Sequence, residues 1–223
     1  MKNLKLAAVC LSCLTMTGCS ALNFSVEGLI NAPKLTSEQS EIHQALIESV
    51  GSNITLKYPK NGEYRSAYVI ANIDDEPTDE AMVFYEYTSN GSEEDGLRVN
   101  ILDKDEDGKW YSVKELAGAG TDIDQVIISP MGSNNQTDVF VGYQNLTNDE
   151  KTMEIYSYTD GDFKRVALDT YSVLEPLDIN NDGYIELITI QRSTNNDTGA
   201  VTAKASMLNM KNNEITRGEN VDM

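Results

Sequence analysis

The segment Asp178-Ile179-Asn180-Asn181-Asp182-Gly183-Tyr184-Ile185-Glu186 carries the most specific chemistry in the chain. Oxygen-bearing side chains fall on alternate positions at Asp178, Asn180 and Asp182, and Gly183 lets the backbone turn sharply behind them. With the Tyr184 carbonyl and the Glu186 carboxylate they offer a shell of hard oxygen donors, and calcium takes ~6–8 of these at one centre. The same residues also suit a β-turn in which Asp178 and Asp182 accept from backbone amides and no cation enters. Asp103-Lys104-Asp105-Glu106-Asp107-Gly108 alternates in a similar way. Its counterparts elsewhere in the chain are plain hairpin turns, so a solvated turn is expected there.

Groups suited to covalent or acid–base catalysis are scarce. His43 is the only histidine, and no cysteine follows Cys19. A Ser-His-Asp triad, a histidine-rich zinc site and thiol chemistry are therefore not expected. Neither common glycine-rich phosphate motif is present. Paired carboxylates for glycoside hydrolysis remain an alternative, because 36 acidic residues offer many pairs and none stands out. Tyr58, Tyr64, Tyr68, Tyr85, Tyr87, Tyr143, Tyr156 and Tyr158 alternate with apolar residues, as strand aromatics do. They are expected to fill the core, with a minority available to line a sugar- or peptide-binding surface.

The N-terminus reads as an export signal. Lys2 and Lys5 lead an apolar stretch, Leu6 to Met16, that is too short to cross ~30 Å of hydrocarbon. It ends in Met16-Thr17-Gly18-Cys19, which resembles the lipobox of bacterial lipoproteins, with Met16 where that family usually has Leu. The resemblance implies cleavage after residue 18 and lipidation of Cys19 by diacylglyceryl and palmitate-type chains. An ordinary secretory signal would instead leave Cys19 as a lone thiol in an oxidising compartment. Residues 1–18 are thus expected to be the signal peptide and 19–35 a lipidated tether on the extracytoplasmic face of the cell membrane.

Removing Lys2 and Lys5 with the signal leaves 15 basic residues against 36 acidic ones, a net charge of about −21. Such a field repels nucleic acid and anionic headgroups, so no nucleic-acid partner is expected. It is compatible with extracellular calcium. The apolar fraction, 40%, is sufficient for a packed core at this length.

The positioning elements follow from periodicity. Thr36-Ser37-Glu38-Gln39 offers a capping box, and Ile42, Ala45, Leu46 and Val50 share one face, which predicts a helix over 36–51 ended by Gly51. From Ile54 the period changes to two. Glu80 to Tyr85, Asp138 to Tyr143 and Glu186 to Gln191 superimpose as an acidic residue followed by an apolar strand. Each follows an earlier strand: Ala67 to Ile73, Gln125 to Ile128 and Ser172 to Leu177. Third strands are expected at Leu97 to Leu102, Met153 to Tyr158 and Val201 to Leu208. Fourth strands are expected at Trp110 to Val113, Phe163 to Leu168 and Glu214 to Thr216. Trp110 and Phe163 lie 53 positions apart, and Phe163 and Ile215 lie 52 apart.

A four-stranded unit recurring about every 50 residues must bury its faces on neighbouring copies, which is the pattern of propeller blades. On these residues the chain resembles FG-GAP/VCBS-like repeat proteins, whose blades carry an Asp-rich loop between the first two strands. The resemblance covers Tyr64 to Arg217 and is strongest at Asp178 to Glu186. Asn72 to Glu76 keeps a remnant of the loop, and Ser129 to Thr137 has lost its acidic residues. It implies calcium at Asp178, Asn180, Asp182, Tyr184 and Glu186.

The expected architecture is all-β: an incomplete β-propeller of about three four-stranded blades over 52–219, near 64–116, 122–169 and 171–217, with one N-terminal helix. Closed propellers have ~4–8 blades. The chain is therefore expected to be an open arc, to be completed by another chain, or to be the front part of a longer protein, with Ile54 to Tyr58 as the outer strand of a further blade. The expected function is a non-catalytic cell-surface lipoprotein that binds or scaffolds a surface protein or glycan, with calcium steadying at least one loop. The alternative is an envelope carbohydrate-active enzyme using paired carboxylates.

Overall fold

The computed structural model describes residues 35–74, 76–88, 96–131, 136–145, 150–195, 197–211, 214–219 and 221–222. The expected signal peptide, Cys19 and the expected tether up to residue 34 lie outside them. The described residues are mostly β, with one helix among them, α1 (Ser37–Val50), and three antiparallel sheets, none closed into a barrel. Among the described residues no helix is long and apolar enough to cross a membrane.

The first sheet contains β1 (Ile54–Leu56), β2 (Tyr68–Ala71), β3 (Glu80–Tyr87), β4 (Leu97–Lys104) and β5 (Trp110–Ala117). The second is a plain meander of β6 (Asp122–Ser129), β7 (Asp138–Gln144), β8 (Lys151–Thr159) and β9 (Asp162–Tyr171). The third contains β10 (Val173–Leu177), β11 (Glu186–Thr194), β12 (Val201–Lys211), β13 (Glu214–Arg217) and β14 (Val221–Asp222). With the first sheet counted from β2, β1 being added on the edge of β3, Glu80, Asp138 and Glu186 each open the second strand of their sheet.

Two short strands depart from the expectation. Ile54 to Tyr58 is not the outer strand of a further blade. β1 pairs with Tyr85–Tyr87 of β3, on the edge that β2 occupies at Glu80–Val83. The reason is length: β2 covers half of the eight-residue β3, and β1 satisfies the backbone groups left open beyond it. Lys57 N–H then donates to the Phe84 carbonyl at 2.8 Å. At the other end, β14 pairs with Lys204–Ala205 of β12, beyond the stretch covered by β13.

The sheets stack through three apolar layers. Ile42, Ala45 and Leu46 of α1 bury against Ala81, Val83 and Tyr85 on one face of β3. Met82 and Phe84 on its other face meet Val139, Val141 and Tyr143 of the second sheet. Phe140, Met153 and Ile155 on the far face of that sheet meet Leu187, Leu208 and Met210 of the third. A sheet covered on both faces explains why β3 and β7 read as unbroken apolar runs instead of alternating. The outer face of the third sheet has no such cover among the described residues, and Val173, Leu177, Met207 and Val221 are exposed.

Candidate functional site

The structure draws the side chains of the Asp178–Glu186 loop together through hydrogen bonds. Asp178 Oδ1 and Oδ2 accept from the amides of Asp182 and Gly183 at 3.1 and 2.9 Å. Asn180 Oδ1 accepts from Asp182 N–H, and Asp182 Oδ1 from Tyr184 N–H, both at 2.9 Å. The Asn180 amide lies between two carboxylates, 2.9 Å from Asp182 Oδ2 and 3.4 Å from Glu186 Oε1. Asn181 and Gly183 adopt positive φ, 61° and 90°, which makes the tight reversal. This is the geometry of the β-turn reading. Among the described residues no three His, Cys, Asp or Glu side chains gather as a metal centre would require. The donor set nevertheless suits a hard cation. All four side chains present oxygen, and the Asn180 amide marks the point that the Asp182 and Glu186 carboxylates share.

Glu186 also has a structural task that recurs in all three sheets. Its Oε2 accepts from Ile179 N–H at 2.9 Å. Glu80 Oε2 accepts from Ile73 N–H at 2.8 Å, and Asp138 Oδ2 from Met131 N–H at 3.0 Å. In each case the donor lies seven residues upstream, so one carboxylate latches the loop between first and second strands. Glu80 and Asp138 are 2% and 1% exposed. Burial pushes the Glu80 carboxyl up from 4.5 to about 7; the Ile73 amide opposes this, and the charges of Asp74 and Asp103 add to it. Its Oε1 has no hydrogen-bond partner among the described residues. The acidic residue heading each strand was visible in the sequence, but the amide it would hold was not.

The Asp103–Gly108 segment is a hairpin turn. Asp105 Oδ1 accepts from the amides of Asp107 and Lys109 at 3.0 and 2.9 Å. His43 Nδ1 is 2.8 Å from the Tyr68 hydroxyl, joining α1 to β2. Tyr68, Tyr85, Tyr143 and Tyr156 are buried between layers, whereas Tyr58 is exposed.

A feature not anticipated from sequence is a cleft of about 630 Å³ where the first strands of two sheets meet the segment before β2. Asn61 to Tyr64, Gln125 to Ser129 of β6 and Leu174 to Pro176 of β10 line it. The chain at Lys60–Asn61 is tied to β6: Asn61 N–H donates to the Asp124 carbonyl at 2.7 Å, and Asn61 Nδ2 to Asp124 Oδ1 at 2.8 Å. Asp124 is itself buried and accepts from the Tyr171 hydroxyl and Lys151 Nζ at 2.7 and 2.8 Å. Gly62, at φ +80°, passes so close that a Cβ there would lie 3.3 Å from Gln125 Cβ. Burial and then the Glu63 charge raise the Tyr64 hydroxyl above its ordinary value. Nothing in the local pattern marks these residues, because loop, β6 and β10 lie far apart along the chain.

No known protein family, curated protein or solved structure matches the chain. The geometry of the sheets, the loops and the cleft is what bears on function.

Proposed function

We propose that this chain is a lipid-anchored, non-catalytic binding or scaffolding module of the cell envelope, built from three consecutive propeller-type blades. The observation that carries the reading is the cleft, because it is assembled from parts distant in sequence and held there by the buried Asp124. The blade assignment is supported by three stacked antiparallel sheets whose second strands open on the same carboxylate latch. The anchor rests on Met16-Thr17-Gly18-Cys19, which lies outside the described residues. Cys19→Ser should move the protein from the membrane to the soluble fraction and abolish incorporation of a palmitate analogue. Unchanged fractionation and labelling would rule out the anchor.

Calcium is proposed as a stabilising ligand of the Asp178–Glu186 loop. Asp178, Asn180, Asp182 and Glu186 would hold it through side-chain oxygens and Tyr184 through its carbonyl. Calcium would supply charge neutralisation there. Calorimetric titration of the protein and of Asp182→Ala tests this. Binding by the parent and its loss in the variant are expected; no binding, or equal binding by both, ends the idea.

The carbohydrate-active alternative has one observation in its favour, since Glu63 and Glu175 line the same cleft. Against it, a carboxyl acting as general acid is normally set in apolar surroundings, and both glutamates are exposed. A panel of chromogenic glycosides and cell-wall polymers separates the readings. No turnover is expected, and hydrolysis abolished by Glu63→Gln or Glu175→Gln would establish the enzyme. For the binding role, the immobilised protein is expected to retain a surface protein or glycan from envelope extracts. Repeated absence of any retained molecule would count against it.

A further inference from the structure

We propose that the outer face of the third sheet is the interface of a two-fold symmetric dimer, in which two copies of this chain pack sheet to sheet. The inference goes beyond the cleft, the calcium loop and the anchor, and it rests on none of them.

Strand alternation gives the third sheet two unlike faces. Leu174, Leu187, Leu208 and Met210 point inward and bury against the second sheet. The residues between them point outward. Register sets Val173 of β10, Ile190 of β11, Ala205 of β12 and Val221 of β14 side by side. This apolar row crosses the sheet, and Val173 and Val221 are 36% and 63% exposed. Every other sheet face in the stack is covered, by a neighbouring sheet or by α1, so among the described residues this one alone is open. A continuous apolar surface of this kind marks a site of association.

What covers the face follows from the residues on either side of the row. Glu175, Ile188 and Met207 lie two residues along their strands in one direction, and Arg192 and Ala203 two residues in the other. Each flank stands ~7 Å from the row, at ~3.3 Å per residue. A two-fold axis lying in the interface along the row turns one flank onto the other. Met207 of each copy then meets the small Ala203 of the other copy. Glu175 reaches the other copy's Arg192 across one strand spacing, ~4.8 Å. The face is thus complementary to itself in size and in charge. Charge also permits the approach. The strands of the third sheet carry four acidic and four basic residues, within a chain of net charge −19. Two copies repel over most of their surfaces but not here. Other occupants fit less well. These strands contain no aromatic residue, so they offer neither a ring for a sugar to stack on nor the aromatic anchors of a surface that lies on a membrane. Head-to-tail stacking of copies is closed, because α1 already covers the other end of the stack. The isologous pair, the commonest form of homo-oligomer, is what remains.

Sedimentation equilibrium of the full chain in density-matched non-ionic detergent reads the mass of the protein alone, and twice the chain mass is expected in the micromolar range. Glu175→Arg and Arg192→Glu should each weaken the dimer about tenfold or more, by setting like charges against each other. The double variant restores opposite charges and should recover most of that loss. Both residues are exposed, so the exchanges leave the core untouched, and circular dichroism of each variant checks the fold. Cross-linking gives a second readout, because a residue on the axis meets its own counterpart. Val221→Cys treated with a short bis-maleimide is expected to yield a covalent dimer above the background of the parent chain. Lys164→Cys, on the second sheet, should stay at that background. A monomer throughout the micromolar range overturns the proposal. So does a dimer that neither charge reversal weakens, which is the result expected of association through a lipid anchor or another surface. A double variant no better than the single ones, or equal cross-linking at Val221→Cys and Lys164→Cys, also overturns it.

Discussion

Replacing Glu80 with glutamine keeps the shape of a buried side chain and removes its ability to ionise. Glu80 sits at the head of β3 with one oxygen on Ile73 N–H and the other without a partner among the described residues. Burial is the main reason its carboxyl is held near 7 in place of 4.5. A folded-state value above the unfolded one means that the native protein binds the extra proton between those two pH values. Stability from this group is therefore fully present below about 4.5 and is lost as pH rises through about 7. At ~1.4 kcal/mol per tenfold change in proton affinity, the loss amounts to about 3 kcal/mol. The amide in the Glu80→Gln variant does not titrate and escapes this loss. Urea unfolding of both proteins from pH 4 to 8 measures the difference, in which the other carboxylates largely cancel. The variant should gain about 3 kcal/mol on the parent between the acid and alkaline ends, whatever constant offset the amide introduces. A difference that stays flat with pH, or that favours the parent increasingly as pH rises, would show that burial does not hold this proton.

Other perturbations test the packing. Leu46 is fully buried between α1 and the first sheet, so Leu46→Ala should cost about 2–5 kcal/mol in urea unfolding through the cavity it leaves. Gly142 in β7 has no room for a side chain, because a Cβ there would overlap the Tyr171 hydroxyl. Gly142→Ala should therefore destabilise strongly, by about 1–3 kcal/mol as overpacking does, and Tyr171→Phe in the same chain should recover part of the loss. Additive effects of these two changes would contradict the clash. Asp138→Ala removes the acceptor of both Met131 N–H and the Ser157 hydroxyl, and should cost about 1–3 kcal/mol by the same assay.

Much of the architecture was legible because it follows from local periodicity. The apolar face of Ile42, Ala45 and Leu46 located α1, and the acidic residue before each apolar run located the heads of β3, β7 and β11. Parts that depend on another strand's length were not legible. Nothing in Ile54–Leu56 says that β2 stops after four residues and leaves Tyr85–Tyr87 for β1 to pair. Val221–Asp222 likewise acquires its strand from the open edge of β12. At the Asp178–Glu186 loop the residue types and the sharp turn at Gly183 were readable, while the amide bonds that gather the side chains appear only in three dimensions. The cleft was wholly hidden. Gly62, Gln125 and Glu175 are ordinary loop and strand residues individually, and their meeting is set by the stacking of the sheets.

The proposal that one unit recurs three times, each copy latched by the carboxylate that begins its second strand, has a direct signature in residue-resolved amide exchange. Ile73, Met131 and Ile179 amides should exchange more slowly than free peptide amides, and Glu80→Ala, Asp138→Ala and Glu186→Ala should each release the partner amide in its own sheet. If any of the three amides exchanged at the free-peptide rate while its following strand stayed protected, the units would not be equivalent and the repeat would be refuted.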